Sequence, residues 1–157
     1  MITLYGLKPR FQNWLRPVAR GLHARGISAN QVTLAALALA VVVAGTIWLW
    51  PTPTTLLLLP PVLFLRMALN ALDGMLAREF QRSTPLGAVL NELGDVLADA
   101  VLYLPLVLIP GIPVAPVVAL ALLALLSEFC GVTATQIGAS RRYDGPLGKS
   151  DRALLLG

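Results

Sequence analysis

Charge is scarce in this chain. Asp, Glu, Lys and Arg together make up 13% of its 157 residues, against 57% hydrophobic ones. A soluble domain carries roughly 25% charged residues, so an ordinary water-soluble fold is excluded and an integral membrane protein is the reading. There is one cysteine, Cys130. It excludes an internal disulfide and reads as a small apolar residue buried in a helix. No cleavable leader is expected, because the first long apolar run begins near residue 32 and no small-residue cleavage site follows it. Internal repeats are absent, as is any low-complexity segment beyond the Leu, Ala and Val richness of the apolar runs.

What is present is a set of helix-length apolar stretches. Val32 to Trp50 is an unbroken run without charge, spanning roughly 28 Å at 1.5 Å per residue, close to the thickness of a hydrocarbon core. Ser28 or Asn30 is placed to cap it, and the Pro51-Thr-Pro53 turn stops it. The expectation is an all-α membrane bundle in a single domain, residues 1–157, with spans at 31–50, 54–79, 85–109 and 114–138. Residues 1–26 read as an amphipathic helix in the interface, with Leu4, Leu7, Phe11, Trp14, Leu15, Val18 and Leu22 on one face and arginines on the other. Pro17 predicts a kink or a break in it. A polar loop, GASRRYDGPLGKSDR, follows the fourth span. The last residues, Ala-Leu-Leu-Leu-Gly after Asp151-Arg152, look like the start of a fifth span, so a truncated C-terminus is expected.

The basic residues alternate between connections. Lys8, Arg10, Arg16, Arg20 and Arg25 precede the first span, Arg78 and Arg82 follow the second, and Arg141, Arg142, Lys149 and Arg152 follow the fourth. The turns at Pro51–Thr54 and Pro110–Pro113 carry no charge. This is the positive-inside pattern, which puts the N-terminus and the Arg78 and Lys149 loops in the cytoplasm. The expected location is a bacterial inner membrane. A nucleic-acid partner is not expected, since the basic residues border the bilayer instead of forming one soluble patch.

Against this background the stretch from Asn70 to Asp99, NALDGMLAREFQRSTPLGAVLNELGDVLAD, is out of place. An Asp in mid-membrane costs about 2.5–3.5 kcal/mol on insertion scales, so such residues face a cavity and do chemistry. Asn70, Asp73 and Ala77 fall at i, i+3 and i+7 on one face of the second span. Asn91, Asp95 and Asp99 fall at i, i+4 and i+8 on one face of the third. The short connection makes the two helices antiparallel neighbours, with Asp73 and Asp95 roughly 10–15 Å in from their shared end. Oxygen donors from two helices suit a hard cation such as Mg²⁺, and the lack of His or Cys argues against zinc. Gly74 and Gly87 leave room for a bulky group beside the carboxylates, or for close helix packing. Arg78 at the pocket mouth is placed to pair with phosphate or to snorkel.

These residues carry a family resemblance. Asp73-Gly74-x2-Ala77-Arg78-x8-Gly87-x3-Asn91-x3-Asp95 resembles the signature of the CDP-alcohol phosphatidyltransferases, D-x2-D-G-x2-A-R-x8-G-x3-D-x3-D, with matching spacing throughout. GISANQVT at 26–33 is similar to the family's G-x-T-P-N-x-x-T, with Ala29 in the proline position, and Gly148-Lys149 to its Gly-Lys loop. The resemblance implies an integral membrane enzyme with six spans, usually dimeric, that uses Mg²⁺ or Mn²⁺. It implies transfer of a phosphatidyl group from CDP-diacylglycerol to an alcohol acceptor, with release of CMP. By position Asp73 is the second motif aspartate and Asp95 the fourth, the candidate base. Asn70, Asp73, Asn91 and Asp95 are then the metal ligands, and Gly74, Ala77, Arg78, Gly87 and Lys149 the substrate-binding set.

Two positions depart from the pattern: Asn70 and Asn91 stand where aspartates belong. An amide oxygen still ligates Mg²⁺ but is neutral, so metal binding is expected to weaken. Asp99, one turn beyond Asp95, is the candidate to compensate. Glu92, about 100° away from Asn91 around the helix, ranks behind it. The alternative is a degenerate relative that binds lipid or nucleotide, or partners another membrane protein, without turnover. Purely structural Asn–Asp bonding across a helix interface leaves the glycine positions and the Ala-Arg spacing unexplained. A transporter is disfavoured because the polar groups gather on one half of the bilayer. Arg141, Arg142 and Lys149 read either as a head-group site or as topology and lipid contact. Arg66 and Glu128, deep in spans two and four, read as a structural pair, with an acceptor pocket as the lesser view.

Overall fold

A computed structural model describes residues 8–80 and 83–138. Among these residues every regular element is helical. The helices are α1 (Lys8–Ala24), α2 (Ala29–Leu49), α3 (Leu59–Glu79), α4 (Pro85–Tyr103) and α5 (Val114–Gln136). The chain is an all-helical membrane bundle. Three stretches are long and apolar enough to cross a membrane: Ala29–Leu49, Pro53–Glu79 and Val114–Gln136. The remaining long helix, α4, carries Glu92, Asp95 and Asp99.

Local chemistry accounts for the ends of these helices. Ser28 caps α2 in a capping box, accepting from the Gln31 backbone while the Gln31 side chain takes the Ser28 N–H at 2.8 Å. Thr84 caps α4 by accepting from the Gly87 N–H at 2.9 Å, with Pro85 in the first turn. Prolines shape the far ends. The expected span 54–79 opens as a 3-10 turn, Pro53–Leu58, before becoming α3. The expected span 85–109 is α-helix to Tyr103 and then 3-10 over Leu104–Leu108, where Pro105 has no N–H for the α ladder. Helix α1 passes through Pro17 without a break. Leu15 and Ala19, on either side of that proline, are buried and belong to an apolar cluster with Ala68, Leu72, Met75 and Leu76 of α3. Packing therefore holds both halves of α1 where one lost backbone bond would let them part. Gly26, at φ +75°, supplies the left-handed residue that ends the turn after α1.

Helix α2 organises the bundle. It packs on both α3 and α4, while α3 and α4 do not pack backbone against backbone, although a short connection joins them. The buried face of α2 explains this. Val32, Ala36, Ala40 and Ala44 recur at every fourth residue, and small residues let helices approach closely in membranes. Gly94 of α4 serves the same approach, since a Cβ there would stand 3.3 Å from Thr33 Cγ2. The second and third spans, expected as antiparallel neighbours, face each other across a gap between α3 and α4, bridged by side chains, with α2 packed on both. The main core joins Ala40, Val43 and Ile47 of α2 with Val62 and Leu63 of α3, Ala98 and Leu102 of α4, and Val117 and Ala124 of α5. Helix α1 docks on the outer side of α3. An Arg16–Glu79 ion pair at 3.2 Å and a His23–Phe80 stack with centroids 3.9 Å apart fix it there.

Ala40 is fully buried in the α2 seam. Ala40→Leu is expected to overpack it and cost about 1–3 kcal/mol, seen as a lower Tm in detergent micelles. Val41→Leu, on the exposed side of α2, is expected to stay within about 0.5 kcal/mol of wild type.

Candidate active site

Arg66, Asn70, Asp73 and Ala77 form one stripe along α3, at i, i+4, i+7 and i+11. Gly87, Asn91, Asp95 and Asp99 form the facing stripe on α4. Because the backbones stay apart, side chains cross the gap. Asn70 Nδ2 donates to Asp95 Oδ1 at 2.6 Å. One turn deeper, Arg66 Nη1 donates to Asp99 Oδ1 at 2.9 Å. Both bonds obey one antiparallel register, since four residues back along α3 match four residues forward along α4. Asp95 therefore lies level with Asn70, and Asp73 stands three residues closer to the connection, roughly 4.5 Å at the α-helical rise.

Asp73 is held from a third helix. Its Oδ2 accepts from the Thr33 hydroxyl of α2 at 2.8 Å, and the Ala29 carbonyl, 3.2 Å from the same Oγ1, is the second and more distant acceptor for that single proton. Asp73, Asp95 and Asp99 are all buried, at 4%, 6% and 7% exposure. Burial of an ionised carboxylate is tolerated only with donors in place, and each of the three has one from another helix. Asn91 and Ala77 are half-buried on the same stripes. At the shallow end the exposed Arg78 folds back over Gly74, where an added Cβ would lie 2.9 Å from Nη2. An added Cβ at Gly87 would lie 2.6 Å from Asn30 Oδ1 of α2 and 2.9 Å from Thr84 Oγ1. Both glycines thus make room for polar side chains of the chain itself.

Several expectations change here. Arg66, expected to pair with Glu128, has Asp99 as its hydrogen-bonded partner. One turn of α3 separates Arg66 from Asn70 just as one turn of α4 separates Asp99 from Asp95, so the register that joins one pair joins the other. Asp99 thereby has one oxygen taken by a guanidinium. Glu128 of α5 is buried at 2% exposure. Cys130, expected to be buried, is exposed on α5. Glu92 is half-buried on α4. Lys149, with Gly148, Arg141 and Arg142, lies outside the described residues, as do Arg82 and the tail from Asp151. Thr33 and Asn30 were not singled out as site residues. The signal that could have found them was GISANQVT, which contains both. Among the described residues no group of three His, Cys, Asp or Glu comes together as a metal cluster.

A facing pair of carboxylate stripes, seated on a third membrane helix and flanked by Gly74-x2-Ala77-Arg78, defines a class. The chain belongs to the CDP-alcohol phosphatidyltransferase family, whose model matches residues 27–154. That family is one of phosphotransferases. Within it the chain is similar to the inner membrane protein YnbA of Escherichia coli (strain K12), 51% identical over 156 residues, covering 99% of this chain and 78% of YnbA. No solved structure matches.

The Arg66–Asp99 pair gives a direct test of the ladder. Arg66→Met takes the guanidinium away from a buried carboxylate, Asp99, and is expected to cost about 3–5 kcal/mol of stability. Arg66→Met combined with Asp99→Met is expected to cost less than Arg66→Met alone, measured by thermal unfolding in micelles. Costs that simply add would show that the two side chains are not coupled.

Proposed function

We propose that this protein transfers a phosphatidyl group from CDP-diacylglycerol to an alcohol acceptor and releases CMP, in phospholipid biosynthesis. The observation that carries the reading is the pair of buried aspartates, Asp73 and Asp95, each held by a neutral donor on the faces where α3 and α4 look at each other. Chemistry of this class needs a carboxylate at the acceptor and oxygen donors near a diphosphate. The stripes offer both.

The donor set is all oxygen, which fits a hard divalent cation. Asp73 and Asp95, with the amide oxygens of Asn70 and Asn91, would hold Mg²⁺ or Mn²⁺. When bound, the cation neutralises diphosphate charge and polarises the phosphoryl oxygens. Asp95 is the base. It takes the proton of the acceptor hydroxyl as the hydroxyl oxygen forms its bond to the phosphatidyl phosphorus. The bond from that phosphorus to the bridging oxygen breaks, and its electron pair leaves on the phosphate of CMP. Asn70 orients Asp95 through its amide N–H. Gly74, Ala77, Arg78 and Gly87 line the donor's side, with Arg78 and Lys149 supplying positive charge for phosphate. Asp99 serves the site through Arg66, and this supports a positioning role over that of a substitute ligand.

The similarity to YnbA supports placement in an inner membrane. Basic residues on alternate connections support a cytoplasmic N-terminus and site, and a homodimer follows the family habit. The second reading, a relative without turnover, is favoured by one observation: the Asn70 amide occupies an Asp95 oxygen.

The test is CMP release from CDP-diacylglycerol by the protein in detergent, with Mg²⁺ or Mn²⁺ and a panel of alcohols. Asp95→Asn is expected to lower kcat by about 10²–10⁴-fold, and Asp73→Asn to abolish metal-dependent release. Absence of release with every acceptor and metal, in protein that still binds CDP-diacylglycerol, would leave the second reading.

A further inference from the structure

Arg78 is placed by the last turn of α3. Its side chain folds back over Gly74, one turn earlier, where an added Cβ would lie 2.9 Å from Nη2. That arrangement holds only while Gly74 to Arg78 stays helical. The last four carbonyls of a helix have no partner within it, so a helix end is held from outside. Helix α4 does not hold this one, because the two backbones do not pack together. Helix α1 does. Met75 and Leu76 are buried in one apolar cluster with Leu15 and Ala19. Glu79 pairs with Arg16 at 3.2 Å. Phe80 stacks on His23 with centroids 3.9 Å apart and planes 11° from parallel. At 100° per residue these four positions of α3 fall on the side away from Gly74, Ala77 and Arg78. Helix α1 thus grips the back of the turn whose front carries the arginine.

The ties differ in strength. The Arg16 and Glu79 side chains stay 42% and 38% exposed, and exposed ion pairs contribute little. His23 is better anchored. Helix α1 ends in a Schellman turn, in which the Gly26 N–H donates to the His23 carbonyl at 2.9 Å and the Ile27 N–H to the Leu22 carbonyl at 3.0 Å, with Gly26 at φ +75°. The Ser28 capping box follows at once and starts α2. The beginning of α2 then brings Asn30 to Gly87 and Thr33 to Asp73. His23 belongs to this frame, and its ring carries the frame across to the end of α3. The ring face does the holding, since Nδ1 is buried without a hydrogen-bond partner among the described residues.

We propose that His23 is a positioning residue: its stack on Phe80 holds the Arg78 turn in register with the start of α2, and so sets the affinity for the phosphorylated donor. The proposal rests on the donor class and on the role of Arg78 given under Proposed function.

The probe is labelled CDP-diacylglycerol with Mg²⁺, and the full chain is held in detergent micelles. The Kd is read by equilibrium binding, with Tm measured on the same samples. His23→Ala is expected to raise the Kd about tenfold, a usual size for coupled positions. His23→Phe keeps a flat ring and is expected to bind within about twofold of wild type. Phe80→Leu keeps apolar bulk but gives up the ring face. It is expected to match His23→Ala and covers the case in which that variant fails to fold. Arg78→Met is expected to weaken donor binding, and in that background His23→Ala adds nothing, because the group it positions is gone. Losses that add would show that His23 acts on the fold as a whole, which overturns the positioning role. A wild-type Kd in His23→Ala, where Arg78→Met binds weakly, overturns this proposal alone. A wild-type Kd in Arg78→Met overturns the role of Arg78 itself, and the proposal with it.

Discussion

Two side-chain bonds cross the gap between α3 and α4, Asn70 to Asp95 and Arg66 to Asp99, and the arrangement of the bundle follows from them. In a membrane an acidic side chain has no water to fall back on, so protein donors must meet it. Donors and acceptors here sit one turn apart on both helices. One antiparallel register satisfies both bonds, and a shift along the helix axis would break both together. The apolar surfaces on either side allow sliding far more readily than these bonds do, because dispersion contacts carry little direction.

The register would be empty geometry without a seat. Helix α2 provides it, with alanines at every fourth residue of its buried face and Thr33 where it meets both Asp73 and Gly94. Because α2 lies between them, α3 and α4 stand far enough apart for side chains to bridge the gap. Two well-packed helices with alanines in the same places would have closed it. Small residues on one helix thus create room for chemistry between two others.

The three aspartates are treated differently by their surroundings. Asp99 meets a guanidinium and forms a compensated pair. Asp73 and Asp95 accept from a hydroxyl and an amide, both donors on other helices.

Much of this was legible in the chain. The apolar runs, the choice of Ser28 or Asn30 as the cap of the first span, and the proline turns are local, and each acts through backbone geometry within a few residues. The stripes at i, i+3, i+4 and i+7 follow from helical periodicity alone. Other features were not legible. Pro17 looked like a break because its lost hydrogen bond is local, whereas the packing of Leu15 and Ala19 that outweighs it is tertiary. Glu128 looked like the partner of Arg66 because both are charges deep in apolar helices, and sequence has no measure of which acid lies across from which base. By itself the sequence determined that the chain is a helical membrane bundle and which helix faces carry its acids and amides. Only the tertiary structure decided that α2 separates α3 from α4, that Asp95 meets Asn70 while Asp99 meets Arg66, and that Thr33 completes the site. The reason is that a helix face is set by neighbours three and four residues away, whereas a partner across a gap is set by the register and spacing of helices far apart in sequence.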